Sequence, residues 1–401
     1  MEIGEANKVV DHPRHPYTRA LIEAIPVADP AHHVEEIVRL QGEPASAIDT
    51  PPGCRFKKSV PICHQQVCRR TPVSGRHTPS GLPLPTPARR LGSIMSHPGT
   101  YRPVVAIDIG GTTMTIAEVR SDGSVRDPVT MDSPARIHGD EVVARICELV
   151  ETRWPHPCRI GVGTAGVVDP ISGSIGRASD SFQGWTGYPL RERLEEALGV
   201  TVQVENDVNA FLVGEQRFGA AAGERDCLGI MLGTGVGGAV ILDGQVIHGR
   251  RGAAAEIGHM PALGNDRCSC GVPGHLESLA GGRAIARRWA AATGRDPTSV
   301  NGAREVARRA ANGDAVAPRI LAEAGKALGI ALVQAATLFD LSTVIVGGSV
   351  ARAWQWLSPG LHDVVTAYPL ISGAELRVRF ASLSDRAVLI GAANLGACDD
   401  Q

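Results

Sequence analysis

The sequence predicts an α/β protein of two similar lobes facing each other across a cleft, and three observations carry that expectation. PVVAIDIGGTTMTIAEVRSDGSVRD, residues 103–127, reads as a buried strand, a glycine-rich turn, a second strand, a hairpin turn at Asp122-Gly123 and a third strand. CLGIMLGTGVGGAVILDGQVIHG, residues 227–249, repeats that order, with its hairpin turn at Asp243-Gly244, 121 residues after the first. Elsewhere strands alternate with helices of apolar period, the longest over VAPRILAEAGKALGIALVQAATLF, residues 316–339.

The glycines after the leading strands point to chemistry. Without a Cβ, a turn can aim several backbone N–H groups at one anion and form a phosphate-binding nest, although hairpins use glycine in any case. Paired on facing halves, Gly110, Gly111, Thr112 and Thr113 in the first and Gly233, Thr234, Gly235, Gly237 and Gly238 in the second would clamp a polyphosphate. Asp108, ending its strand, is then placed to hold hydrated Mg²⁺, which takes one or two carboxylates together with water and substrate phosphates. In TVIVGGSV, Gly347 and Gly348 stand between a strand and a helix, where a base or ribose would pack on bare backbone; a close helix–strand contact is the alternative. VENDVNAF follows the alternating VTVQV and starts a helix, so Asp207 is either a proton-accepting carboxylate in the cleft or a helix N-cap.

EIGHMPALGNDRCSCGVPGHLE supplies His259, Cys268, Cys270 and His275, two imidazoles and two thiols within 17 residues. A disulfide between Cys268 and Cys270 would close a small strained ring. Tetrahedral zinc suits the donor set better.

Composition sets the bounds. At 401 residues, with 43% hydrophobic and 20% charged, the chain is long enough for two or three domains of ordinary globular character. A net charge of -2 argues against nucleic acid or a membrane surface as partner. No uninterrupted apolar run has the length of a bilayer span, and the N-terminus lacks the order of a signal peptide. With an odd nine scattered cysteines, the expected compartment is the cytoplasm.

Residues 1–95 are a largely irregular extension holding 13 of the 27 prolines, with one amphipathic helix predicted near PYTRALIEAIP and a proline-rich linker ending it. HPYTRALIEAIP, LQGEPASAIDTPPGCRF and VPICHQQVC, within residues 9–72, resemble the C-terminal tail of the ATP-binding subunits of oligopeptide and dipeptide ABC transporters, but no Walker motif accompanies them. Met95 would serve as the start of a free-standing enzyme.

DIGGTT, VENDVNA, LGTGVGGAV, EIGHM, CSCGVPGHLE and VIVGGSV, in this order within residues 102–397, resemble the ROK family of sugar kinases and repressors. The resemblance implies the actin-like ATPase (ribonuclease H-like) fold, with a small lobe over 102–221 and 384–401 and a large lobe over 222–383. It implies phosphorylation of a hexose or N-acetylhexosamine by ATP, with Mg²⁺, a structural zinc and a homodimer or higher homo-oligomer. Asp207 matches the family's base, and Gly166, Asn206, Glu256, His259 and Glu277 its sugar-binding positions. His275 stands where the family has a third cysteine, Thr113 where many members have lysine, Ala255 where glycine is frequent and Ser181 where asparagine is common. The resemblance gives His259 two tasks, one ring nitrogen on zinc and the other toward a sugar hydroxyl. It also leads one to expect that zinc loss raises the sugar KM more than the ATP KM, the phosphate loops lying elsewhere. A sugar-sensing regulator and a transporter-associated module are the alternatives. No pair of helices with a basic recognition face precedes residue 96 to favour the regulator.

Overall fold

The computed structural model describes residues 102–133, 138–178, 182–261 and 264–395, all within one compact unit, Ser96–Gln401. The expected N-terminal helix and linker, and Ser181, lie outside the described residues.

The first half opens with β1 (Val104–Ile109), β2 (Thr113–Val119) and β3 (Val125–Asp132), a meander whose apolar strands β1 and β2 are mostly buried. The predicted turn is there: Gly123 takes φ 77 and its N–H reaches the Arg120 carbonyl at 2.9 Å. After helix α1 (Gly139–Arg153) come β4 (Arg159–Thr164), the short β5 (Val167–Val168) and β6 (Ile175–Arg177), helix α2 (Leu190–Leu198), β7 (Val202–Asn206) and helix α3 (Asp207–Phe218). The sheet runs β3-β2-β1-β4-β7, with β1, β4 and β7 parallel.

The second half repeats the plan. It opens with β8 (Cys227–Leu232), β9 (Val236–Leu242) and β10 (Gln245–Val246), and Asp243 and Gly244 both take positive φ, as a type I′ hairpin turn requires. Helices α4 (Glu277–Ala280), α5 (Gly282–Thr293), α6 (Gly302–Ala311) and α7 (Ala317–Phe339) precede β11 (Thr343–Gly347), α8 (Trp354–Ala367) and β12 (Arg377–Phe380). The sheet order β10-β9-β8-β11-β12 reproduces the first, strand for strand and direction for direction. The duplication read from two hairpins therefore extends through both sheets.

Helix α7 qualifies one expectation, because by length and composition it is apolar enough to cross a membrane. Here Ile320, Leu321, Leu328 and Leu332 are buried in the core of the second half, where α7 packs on α8.

The last helix, α9 (Ala387–Ala393), returns to β1 and β4 and crosses α3. That crossing is closer than side chains permit. A Cβ on Gly391 would overlap the Ala210 carbonyl, and one on Gly214 the Ala387 carbonyl. Since α3 carries Asp207 at its first turn, this contact sets the height of the helix against both sheets. Gly391→Ala is expected to destabilise the protein by about 1–3 kcal/mol through forced backbone displacement. Thermal unfolding checks it: a melting temperature unchanged from the parent would mean the helices can part without cost.

Candidate active site

Asp207 is not the cap of its helix. Asn206 is: its Oδ1 accepts from the N–H groups of Val208 at 2.9 Å and Asn209 at 3.2 Å. Its amide donates to the Gly166 carbonyl at 3.0 Å. Gly166 takes φ 106, and a Cβ there would press on the Arg177 carbonyl at 2.7 Å, so no other residue fits this turn. Asn206 and Gly166, both expected to touch sugar, thus hold each other and leave Asp207 as the carboxylate at the helix start.

Burial pushes the Asp207 carboxyl up to about 6, with the charge of Glu256 adding to the rise and the Val208 N–H opposing it. Asp108, at the end of β1, is pushed up to about 7, again mainly by burial and then by Asp207 and Asp385. The structure therefore brings Asp108, Asp207 and Glu256 within electrostatic reach of one another. Asp385 joins them from the turn before α9. Sequence reasoning missed it, and a lone Asp before an apolar helix is a weak signal.

Glu256 arrives on the loop after β10. Its Oε2 lies 3.2 Å from His259 Nδ1, a bond that raises the His259 pKa. That nitrogen is therefore engaged by Glu256, and Nε2 is the ring nitrogen left for another partner. His248 Nε2, at the head of the same loop, meets Glu205 Oε2 at 2.5 Å, and this bond raises the His248 pKa.

The ligand atoms of His259, Cys268, Cys270 and His275 lie within 4.8 Å of one another, the only such cluster among the described residues. The chain turns tightly here, Cys268 N–H bonding Val272 O at 2.9 Å and Gly271 N–H bonding Cys268 O at 3.0 Å. Two imidazoles and two thiols on one compact loop fit a borderline-soft metal in tetrahedral coordination.

This loop does not stand apart from the second glycine loop. Glu277 Oε2 accepts from the Val236 N–H at 3.2 Å, next to Gly235, while its Oε1 accepts from Ser269 and Cys268. Arg288 pairs with Asp266 at 3.3 Å, and Arg287 donates to the Arg267 carbonyl at 3.1 Å, tying the metal loop to α5.

Helix α5 in turn forms one wall of a cavity of about 640 Å³, bounded by Gly233, Thr234, Arg283, Arg304, Ser349 and Val350 among others. Its floor is the second glycine loop: the N–H groups of Gly282 and Arg283 bond the carbonyls of Gly233 and Thr234 at 2.9 and 3.3 Å. Not every predicted glycine belongs to it. Gly237 and Gly238 lie inside β9, where their missing side chains make room for Val208 and for Ile257. Gly347 ends β11 under the Phe211 ring of α3, the close helix–strand contact that was the alternative, and Gly348 lies against the backbone of Leu232 at the end of β8; Ser349 and Val350 line the cavity. The first glycine turn closes by its own bond, Gly110 N–H to Thr113 O at 2.9 Å, and leaves Thr112 and Thr113 exposed beyond Asp108.

The ROK family profile matches residues 104–397, and a profile of the oligopeptide/dipeptide transporter C-terminal region matches residues 1–68. The chain belongs to the ROK family. Its similarity to a glucokinase of Thermotoga maritima is 31% identity over 306 residues, 73% of this chain and 96% of that enzyme. An N-acetylmannosamine kinase of Shigella flexneri is 31% identical over 257 residues, 64% of this chain and 86% of that enzyme. Among solved structures, a ROK hexokinase from Thermus thermophilus aligns with TM-score 0.63 and 33% identity, covering 72% of this chain and 96% of the other. A ROK family glucokinase from Streptomyces griseus, in complex with glucose and AMPPNP, aligns with TM-score 0.62 and 32% identity, covering 73% of this chain and 98% of the other. The fold is the actin-like ATPase fold, and the repeated five-stranded sheets are its two halves.

One departure of this ROK chain now has a physical reading. Ala255, where glycine is frequent in the family, takes φ 61, a left-handed conformation that an L side chain resists. Relief of about 1–2 kcal/mol of strain outweighs the roughly 0.5–1 kcal/mol of added unfolded-chain freedom that glycine brings. Ala255→Gly is therefore expected to raise the melting temperature by about 1–3 °C. A fall would show that the Ala255 methyl makes contacts worth more than the strain.

Proposed function

We propose that this ROK chain transfers the γ-phosphoryl group of ATP to a hydroxyl of a hexose or N-acetylhexosamine. The observation that carries the reading is Asp207: a carboxylate at a helix start in the cleft, held near 6 and therefore ionised yet basic at neutral pH. A sugar hydroxyl is a poor nucleophile, and a proton acceptor of that strength is what its attack on phosphorus needs. Relatives named glucokinase and N-acetylmannosamine kinase, each matched over most of its length, support the substrate class.

In this reading the sugar lies between Asp207 and the loop bearing Glu256 and His259, whose carboxylate and imidazole orient its hydroxyls. The Asp207 carboxylate takes the proton as the hydroxyl oxygen bonds to the γ-phosphorus and the bond from that phosphorus to the bridging oxygen of ADP breaks. The cavity beside Gly233 and Thr234 takes the nucleotide. Arg283 and Arg304 line it with positive charge against the phosphates. Asp108 would hold Mg²⁺, which supplies charge neutralisation to the phosphates, and its buried carboxyl suits a cation that stabilises the ionised form. His259, Cys268, Cys270 and His275 would hold zinc, which supplies rigidity to the loop. Five cysteines among the described residues are free thiols, in keeping with a reducing compartment, and we place the enzyme in the cytoplasm.

Two measurements test this reading. Asp207→Asn keeps the shape and removes the proton acceptor, so kcat in an ADP-release assay across glucose, fructose, mannose, N-acetylglucosamine and N-acetylmannosamine should fall by roughly 10²–10⁴. The parent enzyme should lose kcat/KM as pH falls through about 6, where Asp207 takes up its proton. Glu256→Gln removes a neighbouring negative charge, so that acid limb should move to lower pH. Near-normal turnover of Asp207→Asn, or an acid limb that stays put in Glu256→Gln, would sink the assignment.

For the metal, elemental analysis should find about one equivalent of zinc, lost in Cys268→Ser and retained in His275→Cys, which restores the family's usual ligand. Because Glu277 joins the metal loop to the phosphate loop, metal removal should raise the KM of both sugar and ATP. An effect confined to the sugar would show that the Glu277 bond to Val236 carries no load.

A further inference from the structure

Glu205 and His248 take no part in the chemistry above, yet they join the two sheets beside it. Glu205 is the penultimate residue of β7 in the first sheet and His248 follows β10 in the second. Glu205 is buried, and both its oxygens are occupied: Oε1 accepts from the Asn206 N–H at 2.8 Å and the Asn209 amide at 2.9 Å, and Oε2 meets His248 Nε2 at 2.5 Å. A buried carboxylate with a full set of donors is rigid and well placed to hold another group.

What it holds is the root of a loop. From His248 the chain runs through residues 249–255 to Glu256 and His259, and the His248 carbonyl accepts from the Ala254 N–H at 3.1 Å, closing the loop on itself. The loop has a second seat on the first half, because a Cβ on Gly252 would overlap the Val168 carbonyl. On the other side of the bond, Asp207 stands two residues beyond Glu205, at the head of α3. The pair thus connects, by a few covalent steps on either side, the base to the carboxylate and imidazole that face it.

We propose that the Glu205–His248 bond is a clasp that fixes the acceptor loop against the base-bearing half, making His248 a positioning residue for the acceptor sugar. The proposal rests on the kinase reading for its substrate, while the clasp itself is a statement about the loop. Neither residue touches the nucleotide cavity, and the contacts of the cysteine loop toward that cavity run through Glu277, Arg287 and Arg288, so loosening the clasp displaces Glu256 and His259 relative to Asp207 and leaves those contacts in place. A merely structural pair would instead weaken the whole fold and both substrates alike.

The experiment compares His248→Ala, His248→Gln and Glu205→Gln with the parent, using the best acceptor of the sugar panel and ATP. Hydrogen exchange over residues 249–259 of the free protein is followed alongside, since it needs no turnover. His248→Ala should raise the acceptor KM by about tenfold or more while the ATP KM stays within about twofold, and the Ala254 amide should exchange faster. His248→Gln, which keeps a donor for Glu205, should return the acceptor KM to within about threefold of the parent. Equal changes in both KM values, a glutamine variant no better than alanine, or unchanged loop exchange in His248→Ala would overturn the proposal. If the parent phosphorylates none of the sugars, the kinase reading fails on its own, and the exchange measurement still decides the clasp.

Discussion

The seat of α3 is the constraint on which the remaining architecture depends. This helix is bound at both ends and along its length. Asn206 caps its start and pins Gly166, and α9 crosses it at backbone distance in the middle. At its far end Glu215, fully buried, accepts from the N–H groups of Ala220, Ser382 and Leu383 at 2.8, 3.1 and 2.9 Å. That last set ties α3 to the connection between β12 and α9, the point where the chain passes from the second sheet back to the first. A carboxylate placed on so constrained an element is held in one position, which is what a catalytic base would require.

The same placement has an electrostatic consequence. Asp108 and Asp207 are both held well above the usual carboxylate range, chiefly by burial, and each adds to the crowding that Glu256 and Asp385 complete. Groups of this kind favour their protonated form when folded. They cost nothing in strong acid, and they destabilise the fold progressively as pH rises from about 4 through their folded values near 6 and 7. At neutral pH unfavourable charge is therefore stored where these carboxylates meet. The cavity beside Gly233 and Thr234 presents Arg283 and Arg304 instead, so the two regions differ in sign.

How much of this was legible in the sequence depends on how local the signal is. Hairpin turns are local, and Asp122-Gly123 and Asp243-Gly244 revealed both halves of the duplication. The cluster of His259, Cys268, Cys270 and His275 is local too, because four side chains of two ligand types within one short stretch can meet without any knowledge of the fold. Glycines are ambiguous: Gly233 borders the nucleotide cavity, whereas Gly237 and Gly238 serve the packing of Val208 and Ile257 and look identical in the sequence. Asp385, Arg283 and the Glu205–His248 pair left no trace, since each acquires its meaning from residues brought close only by tertiary structure.

One carboxylate couples the cysteine-bearing loop to the second glycine loop. Glu277 has two oxygens and uses them in different directions, one toward Ser269 and Cys268 in the metal loop and the other toward the Val236 N–H behind Thr234 and Gly235. Gly235 has no side chain because the Glu277 carboxylate occupies that space. Arg287 and Arg288 add a second path, from the metal loop to the helix that lines the donor cavity. His259, bonded to Glu256, adds a third, toward the acceptor. A metal held by His259, Cys268, Cys270 and His275 would order this loop, and with it both Glu256, through His259, and the Val236 N–H, through Glu277.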